Sequence, residues 1–132
     1  MAKSPLDSYR DVQKESLSGR ELEASVLNKA ASILAEVQAT WNAPDLPSRL
    51  DFALRFNQQL WTLFQAGILE ADNPLPMEVK QNILALANFV DTRTYKVMAD
   101  PSPEKLYMLI RINHNIAAGL IGSAEPTQPG QK

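Results

Sequence analysis

The sequence predicts an all-α protein: a compact bundle of three long antiparallel-packed helices, to which residues 1–17 could add a short N-terminal helix. Apolar residues recur at helical spacing in the long segments, and none of these segments has the sustained alternation of a strand. Prolines separate one amphipathic segment from the next. Because the connections are short, successive helices are expected to pack antiparallel.

The N-terminal segment, residues 1–17, has mixed composition. Ser4 before Pro5 is a helix start signal, and a short helix would present Leu6, Tyr9 and Val12 on one side. We expect the main helical domain to follow this segment and to span residues 18–122.

The first long predicted helix runs from about Gly19 to Trp41. Ser18 and Glu21 have the spacing of a capping box, in which each side chain satisfies a free backbone N–H at the start of the helix. One face collects apolar side chains at helical spacing, namely Leu22, Val26, Ala30, Ile33, Val37 and Trp41. Pro44 then ends the helix, since proline cannot continue the hydrogen-bond ladder.

Ser48 followed by Asp51 marks the start of the second predicted helix. Its apolar arc is wide, with a central stripe of Leu50, Leu54, Asn57, Trp61, Phe64 and Ile68 and a neighbouring row of Phe52, Phe56, Leu60 and Leu63. Such a width is typical of a helix that contacts more than one neighbour. We therefore expect this helix to be central, and to end near Gly67 or within the following turn.

The third predicted helix follows a rigid connector that contains Pro74 and Pro76, and Pro76 suits the first turn of a helix. Its core stripe comprises Val79, Ile83, Leu86, Val90 and Val97. A second, thinner apolar line lies on another face and comprises Met77, Leu84, Tyr95 and Met98. The segment around Pro101 ends this helix.

A fourth helical segment is predicted with Ser102 as N-cap and Pro103 at the first helical position. Its stripe comprises Leu106, Leu109, Ile110, Asn113, Ile116, Ala117 and Leu120. Gly119 and Gly122 are expected to bring it to a close. Residues 123–132 contain two prolines and no large apolar side chain, so we expect a disordered tail there.

Composition excludes some classes of function and disfavours others. The 132 residues contain no cysteine, which excludes disulfides, thiol catalysis and cysteine metal sites. The net charge of -2, without a basic cluster, argues against nucleic acid as a direct ligand. No signal-peptide-like run and no stretch of roughly 18 apolar residues is present, so we expect a soluble, cytoplasmic protein.

The sequence contains no recognisable catalytic or ligand-binding motif. His114 is the only histidine, and no metal-binding spacing accompanies it. Ser18, Ser48 and Ser102 are better explained as helix caps than as nucleophiles. We therefore expect no enzyme activity, no cofactor and no metal.

Two asparagines fall inside apolar stripes and are candidate register-setting residues. Asn57 and Asn113 would each need a hydrogen-bond partner if buried, because an unpaired buried amide costs about 1–3 kcal/mol. The alternative is that an amide faces a groove and bonds to the backbone of a ligand. Trp61 is predicted to be core, whereas Trp41, beside a proline turn, is a candidate for a rim or an interface.

The thin apolar line on the third helix is the predicted partner-binding surface. Methionine and tyrosine suit adaptable surfaces that receive an amphipathic helix. Alternatively, this face packs against the N-terminal segment or against another copy of the protein. The candidate partner-binding residues are Met77, Leu84, Tyr95, Met98, Trp41 and Tyr9.

Several short motifs, taken in order and with their spacing, resemble the FlaF family of flagellar regulators. The resemblance covers roughly residues 9–122, beginning with Tyr9 and the Arg20-Glu21 pair. The motifs are Asn57-Gln58-Gln59-Leu60-Trp61, Asn73-Pro74-Leu75-Pro76, Ile83-Leu84-Ala85-Leu86 with Phe89-Val90, Ile112-Asn113, Asn115-Ile116-Ala117 and Gly119-Leu120. The tail after Ser123 lies outside the pattern.

The resemblance implies a cytoplasmic protein that binds flagellin and supports its synthesis and secretion, apparently as an export chaperone. It also implies a functional link to FlbT, a regulator that represses flagellin translation. A helical bundle with an apolar groove could cover the amphipathic terminal helices of flagellin before assembly. Two alternatives stay open: a post-transcriptional regulator of flagellin mRNA acting with FlbT, and a self-associating helical structural module.

Overall fold

The computed structural model describes residues 19–124, and every regular element in this part of the chain is a helix. The elements are α1 (Gly19–Ala39), α2 (Leu46–Leu69), α3 (Met77–Ala99), a short 3-10 turn (Pro103–Leu106) and α4 (Tyr107–Ala124). The all-α prediction is confirmed. A fourth helix of 18 residues, α4, joins the three long helices where the fourth helical segment was predicted. The predicted short helix within residues 1–17 lies outside the described residues, as does Ser18 of the capping box.

The connection between α1 and α2 differs from the prediction at both of its ends. α1 ends at Ala39, short of the predicted Trp41. Beyond it the helical ladder gives way to turn bonds, in which Ala43 N–H donates to the carbonyl of Thr40 and Leu46 N–H to that of Ala43. α2 begins at Leu46, two residues before the predicted cap Ser48. The Ser48 hydroxyl donates to the carbonyl of Asp45 at 3.1 Å, so it lies inside the first turn and does not cap it.

The second connection is held by Asn73. Its side-chain N–H donates to the carbonyl of Gly67 near the end of α2, at 3.0 Å, and its side-chain oxygen accepts from the backbone N–H of Leu75 at 3.0 Å. Leu75 is buried. The connector is therefore fastened to α2 on one side and to the core on the other, and this sets where α3 begins.

The last helix departs from prediction at its start and its end. Ser102 occupies the predicted N-cap position but makes no side-chain capping bond, and a 3-10 turn from Pro103 precedes the α-helix. Gly119 and Gly122 do not end α4, which continues to Ala124. A helical glycine costs only about 1 kcal/mol relative to alanine, and the buried Leu120 offsets such a cost by packing in the core. Residues 125–132 of the predicted tail lie outside the described part of the chain.

Cross-helix contacts show that α1 runs antiparallel to α2. Near the end of α1, Arg49 Nη1 donates to Thr40 Oγ1 at 2.7 Å. Near its start, Glu23 Oε2 lies 4.0 Å from the position that a Cβ atom would take on Gly67. Increasing residue number in α1 thus pairs with decreasing number in α2. We call the two ends of the bundle the Gly19 end and the Ala39 end.

Helix α1 also runs antiparallel to α4, and the contacts between these two helices are the most extensive in the bundle. Gln38 Nε2 donates to the carbonyl of Pro103 at 2.9 Å, while His114 Nδ1 and Asn28 Oδ1 are 2.7 Å apart. These pairs require antiparallel packing.

One hydrophobic core runs through the bundle, with α1 beside α2 and α4, and α3 completing the square. Trp61 is buried, as predicted, and its ring packs edge-on against Phe64 with centroids 5.5 Å apart. Each fully buried Leu contributes about 1.5–3 kcal/mol. The largest fully buried apolar side chains are Trp61, Leu27, Leu34, Leu54, Leu106, Leu109, Val90 and Val97.

Candidate functional site

Large apolar side chains on the surface are grouped at the two ends of the bundle. The Gly19 end, where α1 and α3 begin, carries Leu69, Met77 and Ile121. The Ala39 end carries Phe52, Tyr95, Met98, Tyr107 and Met108. Exposed apolar groups of this size, when they cluster, are typical of surfaces that contact another protein segment.

The predicted line on α3 is not one continuous patch. Tyr95 is 62% exposed and Met98 39% exposed, and they lie three residues apart on the same side of the helix. Met77 is 66% exposed but begins α3 at the other end, about 27 Å away at 1.5 Å per residue. Leu84 between them is partly buried against the core. The structure therefore keeps Tyr95 and Met98 together and separates Met77 from them.

The two outlying candidates have different positions. Trp41 is partly buried and packs against the core just after α1, so only part of its ring is available to a partner. Tyr9 lies outside the described residues.

A groove of about 490 Å³ runs between α1 and α2 near the Ala39 end. Its apolar lining consists of Ile33, Val37 and Phe52, and Phe52 is 49% exposed. Its remaining lining is polar or charged and comprises Lys29, Ser32, Glu36, Ser48 and Arg49. The exposure of Phe52 differs from the sequence prediction, in which the whole wide apolar arc of α2 packs against neighbouring helices.

A second, smaller cleft of about 220 Å³ lies between α3 and α4 toward the Gly19 end, and we call it the α3–α4 cleft. None of its lining side chains is ionisable: they are Val79, Asn82, Ile83, Asn115, Ile116, Gly119 and Leu120. Helices α3 and α4 make fewer contacts with each other than α1 makes with α4. Nothing lies within 4 Å of the position that a Cβ atom would take on Gly119. The cleft is therefore an incompletely closed seam of the bundle.

A buried hydrogen-bonded chain links α2 to α4 through Trp61, Asn113 and Asn57. Trp61 Nε1 donates to Asn113 Oδ1 at 2.9 Å, and Asn113 Nδ2 donates to Asn57 Oδ1 at 2.7 Å. Both asparagines are fully buried, so neither amide faces the groove or the cleft. Because the indole N–H can only donate, it fixes the orientation of both amides. Asn57 Nδ2 is then left without an acceptor on the protein.

The described helices carry few groups with altered chemistry. Burial raises the pKa of Glu23 above its ordinary value, and the positive charge of Arg20 partly offsets that rise. Within residues 19–124, no three His, Asp or Glu side chains come together as a metal site requires. None of the helices in the same range is long and apolar enough to cross a membrane.

Tyr107 and Met108 are surface residues that sequence analysis did not single out. They lie 51% and 39% exposed at the start of α4, and Arg111 Nη1 donates to the hydroxyl of Tyr107 at 3.0 Å. Their angular position off the predicted stripe of the fourth helix was the available signal. They match Tyr95 and Met98 in residue type and closely in exposure, on a different helix.

Comparison with known families gives one match. The family model described as flagellar protein FlaF matches residues 5–120. Comparisons with curated proteins and with solved structures gave no match. Because the family match spans most of the chain, including all the described helices up to Leu120, the chain belongs to the FlaF family of flagellar proteins.

Proposed function

We propose that this FlaF-family protein binds flagellin in the cytoplasm and supports its synthesis and secretion as an export chaperone. The family match over residues 5–120 carries the proposal, since the resemblance to FlaF implies flagellin as the partner. A functional link to FlbT is proposed on the same ground. An all-helical bundle with apolar side chains on its surface is suited to receive an amphipathic helix.

The C-terminal half of α3 is the proposed binding surface. Tyr95 and Met98 supply a rigid aromatic and a flexible thioether side by side, both exposed. In protein interfaces a few such anchors usually supply most of the binding energy. Leu84, the remaining predicted residue of the line, lies in the N-terminal half of α3 and is partly buried against the core, so it is not one of the proposed anchors.

The proposed mechanism is protection of a segment that is poorly folded before assembly. The apolar face of an amphipathic flagellin terminus would aggregate or pair with another flagellin if it remained free. Covering that face on α3 removes apolar area from water, which stabilises the complex by about 25 cal/mol per Å² before the costs of association. Reversible binding of this kind keeps the segment available for export.

Co-purification of the full chain with flagellin tests the proposal. Full-length flagellin should form a complex, and deletion of one of its two termini should abolish it. Failure to form a complex with any form of flagellin would overturn the proposal. RNA binding with a steep dependence on salt, without flagellin binding, would favour the alternative of an mRNA regulator.

Paired surface variants locate the binding face. Tyr95→Ser combined with Met98→Ser should weaken the complex, whereas Leu69→Ser combined with Ile121→Ser should leave it unchanged. The control pair is also apolar and exposed but lies at the opposite, Gly19 end of the bundle, so general effects of surface polarity cancel. Sedimentation of the free protein separates this outcome from self-association: a loss of oligomers in the α3 variant, with no flagellin complex in the parent, would favour the structural module.

A further inference from the structure

The α3–α4 cleft opens at the end of the bundle from which residues 1–18 depart. The cleft is lined from the first turns of α3 and the last turns of α4, which lie at the Gly19 end. We propose that residues 5–12 of the same chain fold back over this end and dock the ring of Tyr9 into the α3–α4 cleft, with Leu6 and Val12 against its rim. The proposal is independent of flagellin binding.

The polarity of the two grooves favours the α3–α4 cleft for this segment. In residues 1–18 the charges of Lys3, Arg10 and Lys14 balance those of Asp7, Asp11 and Glu15. Because its side-chain charges sum to zero, the segment does not require an oppositely charged surface to bind. The lining of the α3–α4 cleft contains no ionisable side chain and is therefore compatible with such a segment. The α1–α2 groove, in contrast, includes Lys29, Glu36 and Arg49 and lies toward the Ala39 end. Burying charged side chains there would carry a desolvation cost.

The dimensions of the cleft fit the proposed occupant. A cavity of about 150 Å³ accommodates benzene, so a cleft of about 220 Å³ has room for the ring of Tyr9. The amides of Asn82 and Asn115 at the cleft can pair with its hydroxyl group. Leu6 and Val12 lie three residues to either side of Tyr9, so one face of a helix would present all three.

The connecting chain is long enough to reach the cleft. Six residues lie between Val12 and Gly19, and the seven steps of an extended chain at about 3.3 Å each span roughly 23 Å. Neighbouring helix axes in a bundle are about 8–10 Å apart, so this reach extends past α4 to the seam. The family match begins at residue 5, which makes this segment part of the FlaF domain.

Paramagnetic relaxation in the full chain tests the docking. Because the protein has no cysteine, Ala118→Cys places a single nitroxide on the exposed surface of α4 at the same level as the cleft, and Ala99→Cys places a control nitroxide at the opposite end. Amide signals of residues 5–12 should be lost with the label at position 118 and retained with the label at position 99. Equal effects from both labels, or no loss from position 118, would overturn the proposal.

Two glycine variants and a mixing experiment complete the test. Gly119→Leu fills the open space of the cleft and should restore the lost signals, whereas Gly122→Leu, on the same helix but outside the lining, should not. Persistence of the signal loss in Gly119→Leu would contradict docking in the cleft. Isotope-labelled protein without cysteine, mixed with unlabelled nitroxide-bearing protein, should keep its signals. If the signals were lost only in that mixture, residues 5–12 of one molecule would occupy the cleft of another, and docking within one chain would be overturned.

Discussion

Replacing either asparagine of the buried Trp61–Asn113–Asn57 chain with alanine should have unequal effects on stability. Asn113→Ala removes the central group, which leaves Trp61 Nε1 without an acceptor and Asn57 Oδ1 without a donor. Each newly unpaired buried group costs about 1–3 kcal/mol. We therefore expect a loss of about 2–6 kcal/mol, a large fraction of the roughly 5–15 kcal/mol typical of a small domain.

Asn57→Ala should cost much less, although both asparagines are fully buried. It unpairs only Asn113 Nδ2, and it also removes Asn57 Nδ2, which has no protein acceptor in the native state. The two contributions are similar in size and opposite in sign, so the remaining loss comes mainly from the small cavity. The matched substitution makes the comparison independent of residue volume.

Urea denaturation followed by far-ultraviolet circular dichroism measures both losses. Asn113→Ala should lower the unfolding free energy by at least about 1 kcal/mol more than Asn57→Ala, with unchanged m-values. In the double variant the amide of Asn57 is absent, so the loss of Asn113 leaves only Trp61 Nε1 unpaired. The double variant should therefore lose less unfolding free energy than the sum of the two single losses. Equal losses, or a larger loss in Asn57→Ala, would refute the assigned direction of the hydrogen-bonded chain.

Two further predictions concern the Gly19 end of the bundle. Burial raises the pKa of Glu23, so the folded state holds this proton more tightly than the unfolded state, and stability should fall as the pH rises from the ordinary carboxyl pKa through the raised one. Glu23→Gln should flatten this part of the pH–stability curve in urea titrations, and an unchanged curve would contradict the cause. Gly67→Ala should raise the unfolding free energy by about 0.5–1 kcal/mol, because Gly67 is helical and the added Cβ would make only an ordinary contact, at 4.0 Å from Glu23 Oε2. A lower thermal midpoint in that variant would show that the site is strained.

The sequence determines where the helices lie more clearly than where each one ends. Periodicity and proline positions place all four helical segments, because both act locally along the chain. Boundaries depend on competing local bonds, as the Ser48 hydroxyl illustrates: it has the residue type of a cap but donates to the carbonyl of Asp45 inside the first turn. The glycines of α4 mislead for a related reason, since the packing of Leu120 outweighs their low helix propensity.

The surface could be predicted only in part. The apolar line on α3 identifies Tyr95 and Met98 as side chains outside the core, and the stripe positions of Asn57 and Asn113 predict their burial. The pairing of the two asparagines could not be predicted, because residues 56 positions apart meet only through the register of α2 against α4. The α3–α4 cleft likewise depends on the spacing between two helices, and the residue pattern of a single helix cannot predict that spacing.

Titration of the isolated flagellin terminus that co-purification identifies tests most directly whether α3 binds flagellin. The wild-type protein should bind one equivalent, and Tyr95→Ser with Met98→Ser should raise the Kd at least about tenfold, which corresponds to about 1.4 kcal/mol. Leu69→Ser with Ile121→Ser, at the Gly19 end, should leave the Kd unchanged. An unaltered Kd in the α3 variant, or an equal increase in both variants, would contradict the account.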